Sequence, residues 1–81
     1  MDERETRIEA ARKRVEAAQQ SVHLADHAVV LTVEGMLEDR RLGVLEDAAW
    51  ERLRVRVAAA KRAEAAWLAA GRALDEALRL T

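Results

Sequence analysis

The stretch Arg41-Leu42-Gly43-Val44-Leu45-Glu46-Asp47 decides the fold. It has the pattern of a helix end with Gly43 at C′ and an apolar residue directly after it. There a residue without Cβ takes the left-handed conformation and lets two backbone N–H groups reach back to the last helical carbonyls. Glu46 and Asp47 then place carboxylates at the positive end of a new helix dipole. A reversal at this point predicts one helical-hairpin domain over 1–81, with a helix over about 3–42, a turn over about 43–45 and a second helix over about 46–80. Gly35 is the competing break, because Gly costs about 1 kcal/mol relative to Ala inside a helix. A kink there, or a short third helix over 35–42, is the alternative.

The residues on either side of the turn carry matching seams. Before it, Ile8, Val15, Val22, Val29 and Met36 recur every seven residues, with Ala11, Ala18, Ala25 and Thr32 three positions after the first four. After it, Leu53, Ala60, Trp67 and Leu74 repeat at the same spacing, and Ala49, Arg56, Ala63, Ala70 and Ala77 fill the other seam position, with Arg56 the only charge among them. Seams of this period belong to coiled-coil-like pairs. Centring the turn between Leu42 and Gly43 sets Ile8 against Ala77, Ala11 against Leu74, Val15 against Ala70, Ala18 against Trp67 and Val22 against Ala63. Each layer then opposes a larger side chain to an Ala, the complementary volumes that close packing needs. A shift by one heptad would set Asp39 against Leu53. The expected fold is therefore all-α, an antiparallel two-helix hairpin with an Ala-rich seam. Exposed Glu9–Lys13, Arg12–Glu16, Arg72–Glu76 and Asp75–Arg79 pairs at i,i+4 would support its helices, each by about 0.2–0.5 kcal/mol.

Composition narrows the function. The chain has 81 residues, half of them hydrophobic, with 14 Lys and Arg against 15 Asp and Glu. A net charge of −1 removes the bulk electrostatic argument for nucleic acid or an anionic membrane. With no Cys there is no disulfide, thiolate nucleophile or Cys-based zinc site. A single Ser, no Tyr and no Gly-rich phosphate loop give catalysis no support, so no enzyme is expected. The opening Met1-Asp2-Glu3-Arg4-Glu5 is charged where a secretory signal would be apolar, and near-continuous apolar stretches such as 28–33 and 55–60 fall far short of the roughly 18 residues that span a bilayer. A cytoplasmic protein without a membrane segment or cofactor is expected.

One seam does not consume the apolar residues. Leu24, Ala28 and Leu31 on the first helix lie outside it, as do Trp50, Val57, Ala59, Ala66, Ala73 and Leu80 on the second. Helices apolar beyond a narrow stripe are buried on more than one side. These nine residues are the candidate interface, to a second copy that completes a four-helix bundle or to a heterologous protein. Two smaller candidates stand beside it. Arg52, Arg56 and Arg62 could share a helix face against nucleic acid, although the window 34–62 carries six acids for its seven bases and no Phe or Tyr for stacking. His23 and His27, at i,i+4, could hold one metal ion with Glu16, Gln20 or Glu34 on the same stripe, yet the Glu-x-x-His spacing of bundle di-metal sites is absent. Arg56, in the seam opposite Val29, is expected either to extend its guanidinium to Glu34 or Glu51 or to fix register.

In topology and in its Ala-containing seam the expected hairpin resembles the Rop type of plasmid copy-number regulator, which pairs two hairpins into a four-helix bundle and binds RNA. The segment Leu42–Glu51 also looks like the turn of short bacterial C-terminal oligomerisation domains. The first resemblance implies a bacterial RNA-binding regulator using the Arg-rich part of the second helix, and it transfers no residue role. The residues themselves favour a protein–protein interaction module, a small adaptor, regulator or assembly subunit, with the RNA binder second and the His metal site third.

Overall fold

A computed structural model describes residues 2–80, as two helices, α1 (Glu3–Leu42) and α2 (Asp47–Arg79), folded back on each other. Helix α1 starts because the Asp2 carboxylate accepts the N–H groups of Arg4, at 2.5 Å, and Glu5, at 3.2 Å, which otherwise have no partner in the first turn. It passes through Gly35 without interruption and stops at Gly43, whose φ of 74° is the only positive one among the described residues. The Gly43 N–H donates to the Arg40 carbonyl at 3.1 Å and the Val44 N–H to the Asp39 carbonyl at 2.8 Å. These are the two bonds of a Schellman end. Helix α2 begins at extended Glu46, whose side chain makes no capping bond, with Asp47 in its first turn.

Grooves along the molecule show which residues of the two helices are neighbours. Val33 and Met36 lie beside Trp50 and Leu53, Val29 lies beside Val57 and Ala60, and Arg7 beside Ala77. The two helices run antiparallel from the turn. Their core is thin: Ala49, Ala11 and Met36 are the buried apolar residues, at 2 %, 7 % and 8 % exposure, with Thr32 the buried polar one. No large side chain among the described residues is fully buried. Trp67, expected in the core, remains 37 % exposed. An indole opposite an Ala has nowhere deeper to go when only two helices meet, so it overhangs the seam edge.

Ion pairs form at other positions than expected. Among the described residues those within 4.0 Å are Glu3–Arg7 at 3.7 Å, Glu38–Arg41 at 2.5 Å and Glu51–Arg54 at 3.1 Å. Glu38 and Arg41 meet through two hydrogen bonds, and the guanidinium holds the Glu38 carboxyl below the usual carboxylate range while Glu38 raises Arg41. Both groups face water. The pair supports the end of α1 only while Glu38 is ionised, and that support is lost as falling pH protonates it.

Candidate functional site

Turning 100° per residue from the seam, each helix presents two flanks, and the grooves show which flanks share a side of the hairpin. On one side Val30, Val33 and Leu37 of α1 stand with Trp50 and Val57 of α2. This tryptophan face is apolar near the turn and becomes polar away from it through Asp26, Lys61 and Glu64. On the other side Arg7 of α1 stands with Ala73, Glu76 and Leu80 of α2. The same flanks carry Ser21, Ala28 and Gly35 on α1 and Ala48, Arg52, Val55, Ala59 and Ala66 on α2, with Leu24 and Leu31 at the outer margin. We call this the alanine face.

The nine predicted interface residues therefore do not form one surface. Trp50 and Val57 belong to the tryptophan face, whereas Leu24, Ala28, Leu31, Ala59, Ala66, Ala73 and Leu80 belong to the alanine face. Leu24, Leu31, Trp50 and Leu80 are more than half exposed, Ala66 and Ala73 are exposed, and Ala28, Val57 and Ala59 are half-buried at the seam margin. The sequence marks Val30 and Val33 as apolar outside the seam without assigning them to the interface, and it leaves Leu37 out; all three stand open to solvent. The signal that places them is the heptad grid itself, which sets all three on the flank that meets Trp50 and Val57 once the two helices are paired antiparallel.

The smaller candidates are not assembled into sites. Arg56 donates across the seam to the Thr32 hydroxyl, and that hydroxyl donates to the Ala28 carbonyl at 2.8 Å. Its guanidinium goes to neither expected carboxylate, because Glu51 is taken by Arg54 and the buried Thr32 oxygen lies nearer the seam. Arg52 and Arg62 remain exposed, ten residues or about 15 Å apart along α2. His23 and His27 are exposed, and no group of three or more His, Asp or Glu suited to a metal ion occurs among the described residues. No described helix is long and apolar enough to cross a membrane.

The hairpin measures 61 × 16 × 13 Å with a radius of gyration of 18.3 Å. A compact chain of this length would have a radius of about 12 Å. Its accessible surface is 6389 Å², whereas a folded monomer of its mass exposes about 4,900 Å². No protein-family model matches the chain, no curated protein matches it, and no solved structure matches it.

Proposed function

We infer that this protein is a helical interaction module that works by presenting its uncovered faces to protein, first of all to a second copy of itself in a four-helix bundle. The observation that carries this reading is the surface excess. About 1,500 Å² per chain beyond a compact monomer amounts to about 3,000 Å² in a pair, within the range of obligate homodimer interfaces. Its chemistry agrees, because Leu24 and Leu31, 63 % and 52 % exposed, sit one heptad apart beside the small residues Ser21, Ala28 and Gly35. Uncovered apolar patches of this extent are uncommon on monomers.

Leu24→Glu with Leu31→Glu tests it. Helical circular dichroism should persist while the sedimentation mass falls to that of one chain, since both positions lie outside the hairpin seam. An unchanged mass removes these residues from the interface. Retention of structured RNA above about 0.2 M salt by the unaltered protein would replace the reading with the Rop-like one.

A further inference from the structure

We propose that the tryptophan face carries a second contact between copies of this chain, on the side away from Leu24 and Leu31. Its turn-proximal half meets the same half of another copy about a two-fold axis, with the two turns pointing in opposite directions. The contact does not depend on pairing through Leu24 and Leu31.

The apolar residues of this face are confined to one end. Leu37, Val33 and Val30 of α1 stand there with Trp50 and Val57 of α2. Arg40 and Asp26 bracket them on α1, as Asp47 and Lys61 do on α2. On each helix the two brackets carry opposite signs, so an antiparallel copy that covers the patch brings unlike charges together at both of its ends. The axis falls near Val33, which shares a groove with Leu53. Arg40 of one chain then comes within one turn of Asp26 of the other, Leu37 of Val30, Trp50 of Val57, and Asp47 of Lys61. Arg54 meets its own copy, but each Arg54 is already held by Glu51 at 3.1 Å.

Heptad spacing alone would allow such an axis at every half-heptad step, and the residue types decide among the steps. One step away from the turn presses Val33 onto Asp26, Leu37 onto His23 and Trp50 onto Lys61. One step toward it presses Val33 onto Arg40 and Trp50 onto Asp47, and leaves Val57 uncovered. Turns at the same end would set Asp26 across from Asp26 and Arg40 across from Arg40, with Leu68 against Glu16 and Gln19. The chosen overlap runs over about 20 residues of each helix, or about 30 Å. Across a hairpin 16 Å wide it covers about 500 Å² of each chain, which is the low end of specific interfaces and makes the contact weak.

A charge exchange tests the proposal. Asp26 and Arg40 lie 14 residues apart on α1, about 21 Å, so they cannot pair within one chain. Contacts on both sides of the hairpin let copies add beyond a pair, so the sedimentation mass of the parent should pass that of two chains between about 100 µM and about 1 mM. Asp26→Arg should weaken this growth about tenfold, and adding Arg40→Asp should return it to within about threefold of the parent, with helical circular dichroism unchanged in both. Leu24→Glu with Leu31→Glu, a single chain when dilute, should pair over the same upper range into a particle about 90 Å long by X-ray scattering, against 61 Å for one hairpin or a full overlap. A parent that stops at two chains, no recovery in the exchanged variant, or a 61 Å pair overturns this contact and leaves the Leu24 and Leu31 pairing standing. A parent that is single when dilute and pairs only in the upper range, with the exchange recovered, removes that pairing and leaves this contact.

Discussion

Arg56 and Thr32 show how a seam can hold a charge. The Thr32 hydroxyl already returns its proton to the Ala28 carbonyl, so its oxygen is left to accept from the guanidinium of the exposed Arg56. A polar seam residue satisfied by one specific partner fixes register, because sliding either helix by a heptad would strand it. Thr32→Val should cost about 1–2 kcal/mol in thermal melts of the parent, and clearly less in an Arg56→Met background. Equal losses in both backgrounds would show that the bond does not contribute. The presence of a charged residue in the seam was legible in the sequence. Its partner was not, because a long side chain chooses among neighbours on the opposite helix, and only their positions in space rank them.

At the scale of elements, two glycines with the same side chain take opposite parts. Gly43 stands at φ 74°, where any Cβ is strained, while Gly71 is helical with open space where a Cβ would go. Gly43→Ala should therefore destabilise the hairpin by about 1–2 kcal/mol and Gly71→Ala stabilise it by about 0.5–1 kcal/mol, both read from denaturant midpoints at fixed protein concentration. Matching signs would contradict the helix bounds. The turn could be read from the chain because its requirement is local: one residue lacking Cβ, an apolar residue after it and acids opening the next helix. The seam was readable because its period is independent of any partner. The division of the candidate interface residues between two sides was not, since it depends on which flank of α1 meets which flank of α2. Trp67 was misjudged for a related reason: a seam position guarantees burial only where the layer is deep enough for the side chain.

The molecule as a whole is a rod with one line of contact and far more surface than its mass requires. Stability drawn partly from a second copy must depend on concentration. Melting temperature should rise by several degrees from about 1 µM to about 100 µM, as expected when association contributes a few kcal/mol to a domain of this size. A constant value across that range would mean that the single seam suffices.

The start of α1 and the end of α2 lie at the same end of this rod, where Arg4 and Leu80 share a groove, and the turn closes the other. Tension applied through the ends would therefore peel α1 from α2 one layer at a time, loading Ile8 and Ala77 first and Met36 and Ala49 last. A fold loaded in this way yields by unzipping at modest force, with no single layer acting as a mechanical clamp.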